Sequence, residues 1–199
     1  MKLATLTQLK AHIGIPAHDT SKDAKLNLLL DGSSAYLEGQ CSRKFELQQH
    51  DIKIDGSGLD SLVLPHYPIL EADGEAAITT LAIDGSSVLS SIGSTIDVDA
   101  QGGTLYRTDR VWPEGRRNIR IVFSAGYKLP GSDESGEEDA PDVPTDLALA
   151  AIRLAARVFE RSSAEGVSNV SRASTNFTFK DAIDDEIKQT IARHMRIRV

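Results

Sequence analysis

The sequence predicts an α+β fold: a helical core of four helices, with an antiparallel, β-rich region inserted between them. Apolar residues recur at helical spacing near both ends of the chain. Between Glu46 and Tyr127, apolar and polar residues instead alternate between glycine-containing turns. Strands that follow one another without helices favour antiparallel pairing. The predicted organisation is a helical core at residues 1–45 and 143–199, a β-rich insertion at 46–130 and an acidic loop at 131–142.

The first predicted helix is short and well delimited. Thr5 and Gln8 have the spacing of a capping box, in which each side chain bonds the other's backbone amide. Gly14 can end this helix, and Pro16 prevents it from resuming.

The second predicted helix runs from about residue 21 to 43. Thr20 and Asp23 suggest another capping pair at its start. Gly32 and Gly39 lie inside it, and we expect them to allow close approach of another helix. Its apolar stripe contains Leu26, Leu30, Ser33, Leu37 and Cys41.

The β-rich region holds several predicted strands and turns. The segment HDIKIDGSGLDSLVLP has the pattern of a strand, a glycine turn and a strand, and AITTLAIDGSSVL that of a hairpin over Asp84-Gly85. A further glycine turn lies in STIDVDAQGGTLYR. The clearest strand is in NIRIVFSAGY, where Ile119, Ile121 and Phe123 share one face and Arg120, Val122 and Ser124 the other.

Two further helices are predicted after the acidic loop. Thr145 is the expected cap of the first, whose apolar stripe contains Leu147, Ala151, Leu154 and Val158. The last helix is expected to start near Asp181. Its first turns are acidic and its end is basic, which suits the helix dipole at both ends. Its apolar face contains Ile183, Ile187, Ile191 and Met195 or His194.

Composition narrows the classes of function. Among 199 residues Cys41 is the only cysteine, which excludes an internal disulfide framework and fits a reducing compartment. Cys41 lies on an apolar stripe and is expected to be a small core residue. The sequence contains no apolar run of about 18 residues, so no membrane partner is expected. A net charge of −7 argues against broad coating of nucleic acid.

Few residues indicate chemistry. The five histidines are scattered and lack the spacing of a zinc motif. Asp97 and Asp99 place two carboxylates on one strand face, which leaves open a small metal- or ligand-binding enzyme domain in the β-rich region; the solvent side of a strand is the plainer interpretation. No catalytic residue, metal ligand or cofactor-binding residue is predicted.

An arginine-rich stretch surrounds the single tryptophan. Basic residues beside an aromatic ring can follow a nucleic-acid strand. The alternative, which we favour, is a hairpin loop with Trp112 packed over its base and arginines that meet the abundant acids of the chain. The arginines are Arg107, Arg110, Arg116, Arg117 and Arg120.

The order of these segments resembles the head–tail connector (adaptor) proteins of tailed bacteriophages. The resemblance covers about residues 3–165 and rests on LATLTQLKAHIGI, YLEGQCSRKF, LVLPHYPI, DRVWPEGRRNIRIVFSAGY and VPTDLALAAIRLAARVFERS, taken in that order. The stretch from Glu71 to Gly103 is longer than in compact members, and the acidic residues 132–142 lengthen a link that is usually short.

The resemblance implies a structural virion protein and no enzyme activity. Such proteins form a ring, commonly of twelve copies, beneath the portal. They extend the DNA channel and provide a platform for a stopper or tail-completion protein. The implied partners are copies of the same chain, the portal, the stopper and genome DNA that passes through without sequence-specific binding. The implied location is the virion neck, after assembly in the host cytoplasm.

Two candidate contact regions follow from this resemblance. The C-terminal segment is expected to meet the portal through Arg193, Arg196, Ile197, Arg198 and Val199. The alternative is an ordinary helix that covers the core and has a frayed end. The arginine-rich loop is expected to face the channel or the stopper through Arg110, Trp112, Arg116 and Arg117.

Overall fold

The computed structural model describes residues 2–72, 74–130, 140–161, 169–172, 175–178 and 183–195. It confirms the α+β class, with four α-helices and antiparallel sheets among the described residues. The chain divides into two compact units. The helical unit contains the described residues of 2–42, 129–130 and 143–195, and the β unit contains those of 43–128 and 140–142.

The elements follow in chain order. Before the long loop they are helices α1 (Leu6–Ile13) and α2 (Asp23–Cys41), then strands β1 (Gln48–Gly56), β2 (Ser61–Val63), β3 (Glu71–Ala72), β4 (Glu75–Ala76), β5 (Ile78–Ile83), β6 (Ser86–Ser87), β7 (Ile96–Asp99), β8 (Thr104–Arg107) and β9 (Gly115–Ala125). After it come helix α3 (Thr145–Arg161), strands β10 (Asn169–Arg172) and β11 (Thr175–Thr178), and helix α4 (Asp185–His194). The predicted acidic loop lies mostly outside the described residues.

The predicted capping box of α1 is confirmed. The Gln8 amide donates to Thr5 Oγ1 at 3.1 Å, and the Thr5 amide donates to Gln8 Oε1 at 2.8 Å. Gly14 ends the helix in the left-handed region at φ 73°. The local sequence signals therefore define both ends of this helix.

The predicted cap of α2 is wrong. The helix begins at Asp23 after Lys22, whose side chain makes no capping bond. The Asp23 carboxylate instead pairs with Lys10 Nζ at 2.5 Å. The Lys10 side chain is buried and also donates to the Ala17 and Asp19 carbonyls. Because Asp23 pairs with Lys10 of α1, its carboxylate does not cap α2, as the local sequence pattern had predicted it would.

The predicted apolar stripes form the core of the helical unit. The α2 residues of the stripe and Leu147, Ala151 and Leu154 of α3 are buried. Cys41 is fully buried, which confirms it as a core residue. Burial of these leucines is worth roughly 1.5–3 kcal/mol each, so packing of the stripes stabilises the helical unit.

Within the described residues of this chain, no helix approaches the α2 glycines closely. A methyl group placed at Gly32 or Gly39 would meet no atom within 4 Å. Gly32 instead lines an open, mostly apolar groove of about 290 Å³ in the helical unit. The groove contains Leu28, which is 71% exposed.

The starts of α3 and α4 also differ from prediction. Thr145 is the first helical residue of α3, and the Ala148 amide bonds the Pro144 carbonyl as the first helical acceptor. Helix α4 begins at Asp185, four residues later than expected. The Asp184 side chain caps it by accepting from the Ile187 amide at 2.9 Å.

Two antiparallel sheets make up most of the β unit. One has the order β1-β9-β5-β6 and the other β2-β8-β7. The predicted strand β9 is confirmed as a central strand, with Ile119, Ile121 and Phe123 buried and Arg120 exposed. The predicted hairpin over Asp84-Gly85 is also confirmed, since both residues have positive φ (49° and 83°) and join β5 to β6.

Strands β1 and β2, which a predicted glycine turn connects, do not pair with each other. Strand β1 pairs with β9, whereas β2 pairs with β8 in the other sheet. The intervening glycine segment therefore passes the chain from one sheet to the other. The alternating pattern predicts each strand correctly but not its partner.

Gly126 explains the Ala-Gly-Tyr sequence after β9. Its φ is 130°, and a Cβ there would lie 2.5 Å from the Glu46 carbonyl oxygen. The Gly126 amide donates to the Pro68 carbonyl at 2.9 Å. Only glycine fits both the backbone conformation and this close approach.

Candidate interaction surfaces

Trp112 anchors the arginine-rich loop, here called the arginine loop (residues 108–117). The indole is fully buried in the core of the β unit. The Trp112 amide donates to the Leu59 carbonyl at 2.7 Å. The Arg107 guanidinium lies 5.4 Å from the ring centre. Trp112 therefore holds the loop from beneath and offers no exposed ring face to a partner.

Asn118 closes the far end of the arginine loop. Its Oδ1 accepts from the Gly56 amide at 2.9 Å, and its Nδ2 donates to the Pro113 carbonyl at 3.1 Å. Gly56 is required here, since a Cβ would lie 1.8 Å from the Pro113 oxygen. The sequence pattern did not predict this role for Asn118, which is the polar residue immediately before the alternating apolar residues Ile119, Ile121 and Phe123.

Arg117 projects from a bulge in β9. The register between β1 and β9 shifts between Ile54 and Gly56, and Arg117 adopts a left-handed φ of 51°. Its amide donates to Asp55 Oδ1 at 2.7 Å. The side chains of Arg116 and Arg117 are exposed as a result.

Several arginines of this region are paired with acids, as the packed-loop interpretation predicts. Asp109 binds Arg107 at 3.2 Å and Arg110 at 2.6 Å, and the hydrogen bond from Arg110 is the main cause that lowers the pKa of Asp109. Arg120 binds Asp51 at 2.8 Å, and this bond lowers the pKa of that carboxyl. Within the described residues, Arg116 and Arg117 form no ion pair.

A groove of about 450 Å³ lies along β7 and is here called the acidic groove. Glu71, Glu75 and Asp97 contribute carboxylates to it. Its apolar lining contains Ala76, Ile78, Leu89, Ile92, Ile96 and Val98. Ile96 is fully buried, so the floor belongs to the core of the β unit.

The carboxylates Asp97 and Asp99 differ in their surroundings. Both side chains are exposed on β7, as predicted for one strand face. Asp99 Oδ1 accepts from the Gly102 amide at 2.9 Å and so shapes the turn to β8. In the part of the chain that the structure describes, no group of three or more His, Cys, Asp or Glu residues could hold a metal ion.

Charged side chains at both ends of α4 form pairs with residues of α3 inside the helical unit. Asp184 and Glu186 at its start pair with Arg157 and Arg153 of α3. At its end, His194 Nε2 lies 3.0 Å from an Asp146 carboxylate oxygen. The backbone amide of Ile187, and then Arg157, lower the pKa of Asp184.

The expected portal contact is only partly described. Arg193 is exposed (67% of its side chain) and lies 3.9 Å from Asp146. Arg196, Ile197, Arg198 and Val199 lie outside the described residues.

None of the helices in the described ranges is long and apolar enough to cross a membrane.

Two features of the β unit were not predicted from the sequence. Arg43 is buried with its guanidinium 3.6 Å from the Tyr67 ring centre, near the rings of Phe45 and Tyr127. His50 and His66 stack with ring centres 3.8 Å apart. Burial lowers the pKa of His50. Both features join residues distant in sequence, so no local pattern reveals them.

Comparison with solved structures gives matches along nearly the whole chain. A chain in the neck of an empty GTA particle, computed with C6 symmetry, has a TM-score of 0.53 and 21% identity, covering 97% of this chain and 89% of that chain. A chain in the neck of a native GTA particle, computed with C12 symmetry, has a TM-score of 0.51 and 18% identity, covering 98% and 89%.

A third match belongs to the virion of a native gene transfer agent (GTA) particle, with a TM-score of 0.53, 18% identity and coverage of 97% and 89%. These likenesses establish a shared fold. No family model matches the sequence, and no curated protein is detectably similar to it.

Proposed function

We propose that this chain is a head–tail connector of a tailed-phage-like particle, a structural component of the neck that acts as a closed ring. The observation that carries the proposal is the fold match to chains of neck assemblies over 97–98% of the chain. The ordered set of sequence segments supports it independently, because that resemblance was identified from residues alone.

The proposed ring lies beneath the portal, extends the DNA channel and receives a stopper or tail-completion protein. The ring is proposed to have twelve copies, and the C12 symmetry of one matching neck assembly is consistent with that number. The proposed portal contact is the C-terminal segment, of which Arg193 is exposed. Such a protein works through fitted surfaces, so it needs no catalytic residue.

The test is assembly with the portal protein of the same particle. Native mass spectrometry of the purified chain, with and without portal, should give a discrete complex of about twelve copies bound to the portal ring. The variant Arg193→Glu should weaken the complex, whereas Lys53→Glu, which changes an exposed charge on the β unit, should not. A chain that stays monomeric and never binds portal would contradict the proposal.

A further inference from the structure

The β unit exposes two surfaces of opposite charge that the proposed function leaves unassigned. We propose that the arginine loop of one copy docks into the acidic groove of the next copy around the ring. The inference rests on the proposed ring, and it names the residues that would join neighbouring copies. Binding of the arginine loop to DNA, to the stopper protein or to another partner is a separate outcome that the test distinguishes.

The arginine loop has the chemistry of an inserting segment. The side chains of Arg116 and Arg117 are exposed and form no ion pair among the described residues, and the side chain of Arg110 is 69% exposed. Val111, between the arginines, is 53% exposed. Trp112 and Asn118 fix the loop, so little conformational entropy is lost when it docks.

The acidic groove has the complementary chemistry. Glu71, Glu75 and Asp97 have no ion pair among the described residues, so nothing in that part of the chain compensates their charge. The apolar lining can take Val111 and the methylene stems of the arginines, while the guanidinium groups reach the carboxylates. A basic segment with an exposed apolar residue therefore matches both parts of the groove.

The positions of the two surfaces suit a ring. The groove lies along β7, at one edge of the sheet β2-β8-β7. The arginine loop begins beside β7, where the Thr108 amide bonds the Thr95 carbonyl, and continues to the opposite edge, where Trp112 bonds Leu59 in the segment that leads into β2. Arg116 and Arg117 follow Trp112 in the chain, and the Arg117 amide bonds Asp55 of β1. Different patches at opposite edges allow head-to-tail contacts, and such contacts form a ring when the rotation closes.

Charge reversal tests the contact. The loop variant is Arg116→Glu/Arg117→Glu, the groove variant is Glu71→Arg/Glu75→Arg, and a third chain carries all four changes. Ring formation on portal is measured by native mass spectrometry over a concentration series. Each double variant should need about tenfold more protein to form the ring, and the fourfold variant should recover to within about threefold of wild type, because it restores opposite charges.

Two controls separate assembly from folding and from general charge. Lys53→Glu changes an exposed charge on β1 and should assemble like the wild type. Circular dichroism and the thermal midpoint of each variant confirm folding. Rescue by the fourfold variant cannot come from a misfolded chain, so a folding defect in one double variant does not obscure the result.

The outcomes distinguish this inference from the proposed function. If the wild type forms rings and the loop variant does so equally well, or if the fourfold variant fails to recover, the contact proposed here is wrong and the ring stands. Rings that persist while the loop variant loses binding to a 30-base-pair duplex, or to the stopper, would assign the loop to that partner instead. A wild type that forms no ring on portal would contradict both proposals.

Discussion

Arg117 combines backbone strain with an exposed charge. A left-handed conformation costs a residue other than glycine roughly 1 kcal/mol, and Arg117 has φ 51°. The surrounding bonds, from the Arg117 amide to Asp55 and from Asn118 to Gly56, hold the bulge in place. The strain presents Arg116 and Arg117 together at the surface, which is what the proposed docking contact requires.

Arg117→Gly should leave the free energy of unfolding unchanged or raise it by up to about 1 kcal/mol, because glycine accepts positive φ without strain. Arg116→Gly should lower it by about 0.5–1 kcal/mol, because Arg116 lacks positive φ. Urea unfolding of both variants makes the comparison. A larger loss for Arg117→Gly than for Arg116→Gly would show that the bulge is not strained.

His50 makes stability depend on pH. Burial lowers the pKa of His50 below its usual 6.5, so the unfolded chain takes up the proton first as the pH falls. Its contribution to stability is present above about pH 7 and is lost as the pH falls through the lowered pKa. A charged His50 would also face the ring of His66, stacked at 3.8 Å.

The wild type should therefore lose more stability between pH 7.5 and 5.5 than His50→Gln does. Urea midpoints at the two pH values measure this. His12→Gln, at an exposed position of α1, is the matched control and should keep the wild-type pH dependence. An equal loss in wild type and His50→Gln would rule out His50 as the cause.

At the scale of elements, the sequence predicted what local interactions determine. The capping box of α1, the apolar stripes of α2 and α3 and the Asp-Gly hairpin all depend on residues within a few positions of one another, and all were confirmed. The start of α2 was wrong because Lys10, thirteen residues away, binds Asp23. The pairing of β1 with β9 was not predicted either, because the two strands lie about 70 residues apart in the sequence.

The glycines of α2 and β1 should respond oppositely to alanine. Gly32 lies in a helix with open space around it, so Gly32→Ala should raise the free energy of unfolding by about 1 kcal/mol. Gly56→Ala should lower it by about 2–3 kcal/mol, because a Cβ would collide with the Pro113 carbonyl. Denaturant unfolding tests the pair, and a loss of stability in Gly32→Ala would mean that its surroundings are not open.

The candidate surfaces were harder to predict than the helices. The arginine cluster was visible in the sequence, and the favoured interpretation of a packed Trp112 with acid-paired arginines agrees with the buried indole and with the two arginines that share Asp109. The acidic groove was not predicted, because its carboxylates come from β3, β4 and β7 and meet only in the folded chain. Of the three acidic residues of the groove, the sequence pattern indicated only Asp97, as a member of the Asp97 and Asp99 pair on one strand face.

At the scale of the molecule, some charged residues pair with one another within the described chain, whereas others form surfaces that have no paired opposite charge there. Helices α3 and α4 satisfy most of their charges against each other. Uncompensated charge in the described β unit includes the arginine loop and the acidic groove, with opposite signs. A chain of net charge −7 can then self-associate through local complementarity despite overall repulsion.

The most direct measurement is a cryo-electron microscopy reconstruction of the particle vertex, without imposed symmetry. The account predicts a closed ring of this chain immediately beneath the portal, with the β units of adjacent copies in contact. Density for single, separated copies, or an intact neck from which the chain is absent, would contradict it.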